Sequence, residues 1–364
     1  MSETVNAGDS NGRSILLLCG MSDTKFRHKV EPIQVSTAVE VIDLVRRKPY
    51  SGNKIREHRL PAWLRDNLVL ADFCRAIIAF GVCIFRRPAA IISIYYYYNG
   101  LMAFWLGKLF RIPVVQVLLG TDFERVLGSR MGISILKEAH YVGVGGNTSQ
   151  RRLAELGVPQ DRIFYPTSSY SLPKEKIPDQ SSSDYDLVFV GSLLPVKRVD
   201  RLLNAVAELK ELGLEYKLLI IGDGPLRKDL EALAGTLDIA GQTVFQGNID
   251  NSNVCDYLVK SKLFVMTSET EGLPMAMMEA LGCGLPVVVP DVGDISGLVS
   301  DGKNGVLYNP DNNHELAGLL KKVLEDADYY KQLCSGVRET RAVIEKRYGL
   351  DVLTEKWTNI LREV

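Results

Sequence analysis

Short apolar runs alternate with longer amphipathic stretches along this chain of 364 residues. SILLLCG at 14–20, IISIYYYY at 91–98, VVQVLLG at 114–120 and HYVGVGG at 140–146 have the length and β-branched or aromatic content of buried strands, and LMAFWLGKLF at 101–110 reads as a helix. In the second half the alternation is more regular. DLVFVGS precedes the helical VDRLLNAVAELKEL, KLLIIGDGP precedes LRKDLEALAGTL, and TVFQGNID precedes a short helix. KLFVMTSETEGLP then precedes MAMMEALGCG, and PVVVPDVGD and GVLYN follow. Strands alternating with helices predict parallel sheets built from βαβ units. The stretch SLPKEKIPDQSSSDYD at 171–186 is rich in Pro, Ser and charge and predicts a linker. The expected fold class is therefore α/β, with two doubly wound domains over 1–178 and 179–345. Amphipathic segments at 311–347 and 350–364 close the chain.

Composition fits large cores that need no disulfides: 46% of residues are hydrophobic and 24% charged. The six cysteines are scattered without a CxxC pair, which favours a reducing compartment. The four histidines show no metal-ligand spacing, so no metal is expected. Residues 1–13 are polar, and no signal peptide is expected. Charge is unevenly divided. Residues 1–180 hold 24 Lys+Arg against 16 Asp+Glu, and the remainder 19 against 28. Separate solvated surfaces account for this, or a first half that meets an anionic surface or a phosphorylated acceptor. Nucleic acid is not among the expected partners. The 20 uncharged residues PAAIISIYYYYNGLMAFWLG, 88–107, have the length of a membrane span. Asn99-Gly100 interrupts them, so a strand followed by a helix is expected instead. Arg86, Arg87, Lys108 and Arg111 flank the apolar residues as in an interfacial segment, which favours surface attachment.

In open parallel sheets, ligands sit beyond the carboxyl ends of the strands. That rule gathers the loops Gly191–Arg198, Gly222–Pro225, Gly247–Asp250 and Thr267–Leu273. Lys197-Arg198 just before a helix suit an anion, since free N–H groups and the dipole favour negative charge there. Alone, they are equally two solvated cations. Gly222, Asp223 and Gly224 form a tight strand-to-helix turn, and Gly247 with Asn248 another. In ETEGLPMAMMEALGCGLPVVVP, 269–290, Pro274 suits the first helical position, with Leu273 as a non-polar N-cap. A capping box would need its acid at Ala276. Glu271 and Glu279 stand elsewhere, so amides at Gly272–Met275 are left for an oxygen-rich ligand and the carboxylates for hydroxyls.

These loops resemble those of the retaining family 4 glycosyltransferases, which have the GT-B fold. The resemblance rests on GSLLPVKRVD, IIGDGPL, FQGN, SETEGLPMAMMEALGCGLPVVV and GDISGLVSDGKNGVLYNPDN, spanning roughly residues 185–325. The E-x7-E motif of that family matches Glu271 and Glu279. The resemblance implies two Rossmann-like domains facing a cleft, with a C-terminal helix, 346–364, packing back toward the first. It implies a nucleotide-diphosphate sugar as donor, a UDP or GDP sugar first among them, with no other cofactor and no metal. Lys197 and Glu271 take the catalytic positions, Lys197 on the diphosphate and Glu271 on the donor sugar with the amides of the run Gly272 to Met275, in which Leu273 and Pro274 also border the donor. Glu279 falls on the ribose and Gly247 and Asn248 near the base. Ser192 stands where the family usually has arginine, and Arg198 is the substitute cation. Gly222, Asp223 and Gly224 complete the donor set.

On the acceptor side the resemblance points to Gly20, Gly120 and Asp122. Leu119 replaces a usual histidine, and YPTSSYS at 165–171 replaces a usual Pro-Asn-Gly. The implied function is transfer with retention to a lipid-linked saccharide, in cell-surface polysaccharide or glycolipid synthesis, at the inner face of the cytoplasmic membrane. The proton would pass to the leaving phosphate oxygen on the front side. A soluble transferase acting on a small sugar phosphate, and a non-catalytic nucleotide-sugar-binding subunit, remain open at this point. Asp184-Tyr185-Asp186 has DxD metal-site spacing, but it opens a strand at the edge opposite the loops, where a structural role is expected.

Overall fold

The computed structural model of the chain describes residues 13–20, 23–47, 50–61, 63, 67–166, 183–312 and 315–364. Met21, the 167–171 part of YPTSSYS and the linker through 182 lie outside them. The described residues fall into two compact units, one containing 13–145, 150–166 and 350–364, the other 146–149 and 183–349.

The first unit is built on β1 (Ser14–Cys19), β2 (Val41–Val45), β3 (Ile55–Glu57), β4 (Ala90–Ile94), β5 (Val114–Val117), β6 (Tyr141–Gly143) and β7 (Ile163–Phe164). Their order is β3-β2-β1-β4-β5-β6-β7, with every ladder parallel. Helices cover both faces, which is why β1 and β4 read as unbroken apolar runs. Ile15, Leu17 and Cys19 pack with Phe26, Val30 and Ile33 of helix Asp23–Val35. Leu16 and Leu18 pack with Ala79, Val82 and Cys83 of helix Leu68–Arg86 and with Ala103 and Leu106 of helix Leu101–Phe110.

The last helix, Leu350–Glu363, belongs to this unit. Trp357, Ile360 and Leu361 enter the same core as Phe26 and Ile33. Ser36 and Thr358 share a hydrogen bond of 2.7 Å, and the Arg13 guanidinium donates to the Val364 carbonyl at 2.7 Å.

IISIYYYY is a strand only as far as Ile94. Tyr95 turns the chain with φ +70°, and Tyr96–Gly100 forms one π-helical turn leading into Leu101–Phe110. Strand propensity in the tyrosines yields to the bend at the sheet's carboxyl edge. Asn99 is buried there, donating to the Ile94 carbonyl at 3.2 Å and accepting from Arg75. Among the described residues, no helix is long and apolar enough to cross a membrane.

The second unit has β8 (Tyr185–Val190), β9 (Leu218–Ile221), β10 (Thr243–Gly247), β11 (Ser261–Val265), β12 (Val287–Pro290) and β13 (Gly305–Tyr308). The order is β10-β9-β8-β11-β12-β13, all parallel. The direction of winding reverses between β8 and β11, the position at which doubly wound sheets bind ligands. Helices Val199–Glu211, Arg227–Thr236 and Glu315–Glu325 cover one face, and Asn251–Leu258, Met275–Gly282 and most of Ala327–Tyr348 the other.

Asp186 sits at the start of β8, where it accepts from the Lys217 amide at 2.9 Å and pairs with Lys262 at 2.8 Å. It thus binds together the starts of three neighbouring strands. Among the described residues, no group of three His, Cys, Asp or Glu side chains could hold a metal. The cysteines are free thiols, with the Cys255 and Cys283 sulfurs 2.7 Å apart.

Because Trp357 is 2% exposed in the core of the first unit, Trp357→Ala should cost about 3–5 kcal/mol. Urea unfolding checks this, with loss concentrated in the transition of the first unit.

Candidate functional site

The carboxyl-edge loops of the second unit are locked together through their backbones. Gly222 follows β9 with φ +133°, and a Cβ there would stand 1.9 Å from the Gly191 carbonyl oxygen, so only glycine allows this approach. The Gly222 amide donates to the Gly247 carbonyl at 2.9 Å. The Leu193 amide donates to the Asp223 carbonyl at 3.0 Å, and the Gly224 amide to the Asp223 carboxylate at 2.7 Å. The loops after β8, β9 and β10 therefore form one rigid rim. Ser192 and Asn248 are exposed on it.

The fourth loop, 267–273, is bound to the first. Thr267 donates to the Lys197 carbonyl at 2.9 Å, and the Glu269 amide to the Val196 carbonyl at 2.9 Å. This brings the Lys197 ammonium within 2.5 Å of the Glu271 carboxylate, with 21% and 11% of the two side chains exposed. The neighbouring Arg198 points elsewhere. Its φ of +46° turns the guanidinium to Asp200 at 2.9 Å and Glu269 at 2.6 Å, and those two carboxylates hold its pKa above the ordinary range. Of the two adjacent cations, Lys197 stands with Glu271, while Arg198 is engaged by two other acids.

Helix Met275–Gly282 begins one residue later than the sequence suggests. Pro274 is its N-cap, in extended conformation (ψ 126°), and no side chain caps it. Having no N–H, Pro274 contributes no donor; the unshared first-turn donors are the amides of Met275, Ala276 and Met277. The extended ψ of Pro274 itself puts the first helical residue at Met275. The approach to this helix is held by Gly293, whose φ is +59° and whose Cβ would lie 2.0 Å from the Glu271 carbonyl. The Asp294 amide also donates to the Gly272 carbonyl at 3.1 Å. Glu271 is thus fixed from two sides. Glu279, on the second turn of the helix, is largely buried, and burial pushes its carboxyl up to about 7.

Two contributors escaped sequence reasoning. Arg227 opens helix Arg227–Thr236, donates to the Phe245 carbonyl at 3.2 Å and pairs with Asp223 at 3.3 Å and Glu231 at 2.8 Å. Its guanidinium lies against Gly247, 2.9 Å from where a Cβ would be. The basic LRK directly after the Gly222–Pro225 turn was the available signal. Gly293 left none, because its role is a contact with a residue distant in sequence.

In the first unit, Gly20, Gly120 and Asp122 follow β1 and β5, with β4 between. Gly120 has φ +50° and precedes helix Thr121–Leu127, and Asp122 is buried in that helix's first turn, its amide donating to the Leu119 carbonyl at 3.0 Å. Tyr95 follows the end of β4, and its burial, with a smaller influence from the Asp122 carboxylate, raises its phenol pKa. Gly20 has room for a Cβ, 3.5 Å from the Asn99 amide nitrogen.

Residues 173–340 match the family model described as "Glycosyl transferases group 1". Over 178 residues the chain is 26% identical to alpha-D-kanosaminyltransferase of Streptomyces kanamyceticus, covering 49% of this chain and 45% of that protein. Over 246 residues it is 27% identical to N-acetyl-alpha-D-glucosaminyl L-malate synthase of Bacillus anthracis, covering 63% of each. The matches thus span about half to under two thirds of these relatives. Among solved structures, the whole fold is similar to Anabaena HepE in complex with UDP (TM-score 0.74, 16% identity, 96% of this chain and 100% of that one). It is also similar to sucrose-phosphate synthase of Thermosynechococcus elongatus (TM-score 0.76, 18% identity, 96% and 98%). The architecture is the two-domain α/β GT-B fold.

The raised Glu279 carboxyl makes stability pH-dependent. The native state binds its proton more tightly than the unfolded chain, so stability falls as pH rises from about 4.5 to 7 and the contribution is gone above that. Glu279→Gln should remove this slope, a difference on the order of 3 kcal/mol. Urea unfolding of both proteins at pH 5 and pH 8 reads it.

Proposed function

We propose that this chain, whose second half matches the group 1 glycosyl transferases, moves a sugar from a nucleoside-diphosphate sugar to a hydroxyl acceptor with retention at the anomeric carbon. The observation that carries the reading is the Lys197–Glu271 pair, held at 2.5 Å beside the uncapped start of helix Met275–Gly282. A shielded lysine next to free helical amides is suited to a diphosphate. The carboxylate beside it is suited to sugar hydroxyls. The complex of Anabaena HepE with UDP-glucose supports a UDP sugar as donor.

In this reading the diphosphate displaces Glu271 from Lys197, and the freed carboxylate accepts hydroxyls of the donor sugar. Glu279 accepts from the ribose, and Gly247 and Asn248 border the base. As the anomeric C–O bond to phosphate breaks, Lys197 and the amides of Met275 and Ala276 stabilise the charge that develops on the leaving oxygen. The acceptor oxygen bonds to the same face of the sugar, and its proton passes to that phosphate oxygen. Glu271 holds the sugar rather than attacking it, so no metal and no covalent intermediate are invoked.

The acceptor side is Gly20, Gly120 and Asp122, with Tyr95 beside them. We take the acceptor to be a lipid-linked saccharide at the inner membrane face. The exposed apolar side chains of the first unit and the basic balance of residues 1–180 support it. The place of this reaction is cell-surface polysaccharide or glycolipid synthesis, in line with the 30% identity over 153 residues to a putative teichuronic acid biosynthesis glycosyltransferase of Bacillus subtilis.

Lys197→Ala should weaken UDP binding by about tenfold to a hundredfold, the value of a charged hydrogen bond. Glu271→Gln should lower turnover by about a hundredfold, the scale of one lost transition-state contact. Because it also removes the anion that competes for Lys197, it should bind UDP at least as tightly as the parent. Calorimetric titration of UDP and transfer from radiolabelled UDP-sugars into a lipid extract measure both. Normal turnover in both variants would overturn the assignment of roles.

A further inference from the structure

Helix Leu68–Arg86 has an outward face that the described residues of its own unit leave open. Its two internal charged residues, Asp72 and Arg75, are buried. Arg75 donates to Asp72 at 2.9 Å, to the Cys19 carbonyl at 3.2 Å and to Asn99, so neither charge reaches the outer face. The outward positions are instead Val69, Phe73, Ile77, Phe80, Ile84 and Phe85, from 42% to 83% exposed. On the adjoining helix Leu101–Phe110, Trp105 and Leu109 are 63% and 64% exposed. The stripe from Val69 to Phe85 runs about 24 Å along the helix. A contiguous apolar surface of this extent marks an interaction site.

A groove of about 650 Å³ opens between the two helices. Val69, Phe73, Phe80, Met102 and Trp105 line it, with Arg47 and Asp72 paired at 2.8 Å. Both helices finish in exposed cations, Arg86 and Arg87 on one and Lys108 and Arg111 on the other; Lys108 pairs with Glu138 at 3.2 Å, and Arg86 is engaged as well. An aromatic and aliphatic face bordered by the exposed guanidinium groups of Arg87 and Arg111 complements an anionic bilayer, with side chains in the acyl boundary and guanidinium groups among the phosphates. An open face alone would serve for adsorption. The groove offers more, since its volume of about 650 Å³ and its mostly apolar lining suit a single hydrocarbon chain.

We propose that this face docks on an anionic phospholipid bilayer and that the groove seats one hydrocarbon chain of a lipid. The proposal deepens the reading of a membrane-borne acceptor and rests on it. Asp72, which lines the groove beside Arg47, accepts from Arg75, and Arg75 also donates to the Cys19 carbonyl next to Gly20 at the carboxyl edge of the sheet. A lipid held there would present its head beside the acceptor loops of the same unit.

The full chain, without donor, is sedimented with phosphatidylcholine vesicles and with vesicles containing phosphatidylglycerol. Binding to the second alone is expected, weakened by salt. Phe73→Ser with Phe85→Ser should lower it at least tenfold, with no loss of stability because both side chains are exposed. Monomeric lysophosphatidylglycerol with a brominated chain should quench Trp105, identified by subtracting Trp105→Phe. Ala76→Phe, which fills the groove, should weaken this capture at least tenfold while leaving vesicle adsorption intact.

Failure to sediment, or quenching unchanged in Ala76→Phe, overturns the proposal. So does a dimer in sedimentation velocity that the double serine variant dissolves, which would assign the face to a second copy of the chain. Thermal stabilisation by UDP-glucose is measured in parallel. If it persists where lipid binding fails, only the lipid proposal falls; if it is absent, the donor reading falls.

Discussion

Lys197 and Glu271 are 74 residues apart in sequence and meet at 2.5 Å because the loops carrying them leave adjacent strands of one parallel sheet. In the proposed function, donor binding by the second unit depends on this pair. Both charges are mostly withdrawn from water, and such pairs return little net stability once desolvation is counted. Their placement is nonetheless over-determined. Thr267 and Glu269 bind the Lys197 loop, and the Gly293 turn presses on the Glu271 backbone. Backbone contacts that hold a costly ion pair in place are what a preorganised site requires, because a ligand then meets charges already aimed. An anion can exchange with Glu271 for Lys197 at modest cost, since one ionic partner replaces another.

The fold was legible where periodicity speaks for itself. Buried runs such as SILLLC and KLLII, separated by amphipathic helices, dictate parallel strands covered on both faces. The carboxyl-edge rule then named loops that the structure binds into one rim. What could not be read was conformation set by distant partners. The tyrosines after Ile94 have strand propensity, yet the chain bends at Tyr95 and Asn99 is buried against Arg75, a residue of another helix. Lys197 and Arg198 look equivalent in sequence. Only the left-handed turn at Arg198 and the positions of Asp200 and Glu269 separate them. Pro274 was read as the first helical residue and is the cap, so the unshared first-turn amides are those of Met275, Ala276 and Met277.

The two units divide the chemistry as they divide the charge. In the proposed function, the acidic second half uses few cations, placed by backbone contacts, to receive an anion. The basic first half has an apolar outer face and a buried polar network, Arg75 with Asp72 and Asn99, that ties helix Leu68–Arg86 to the carboxyl edge of its sheet. The final helix fills the core of this first unit through Trp357, so the chain's last residues contribute to the stability of its earliest strands.

The central claim is that Lys197 exchanges Glu271 for a diphosphate. A crystal structure with UDP tests it most directly. The account predicts a phosphate oxygen within hydrogen-bonding distance of the Lys197 ammonium and of the Met275 or Ala276 amide, with Glu271 turned away from the lysine. A diphosphate bound elsewhere, with the Lys197–Glu271 pair still closed, would contradict it.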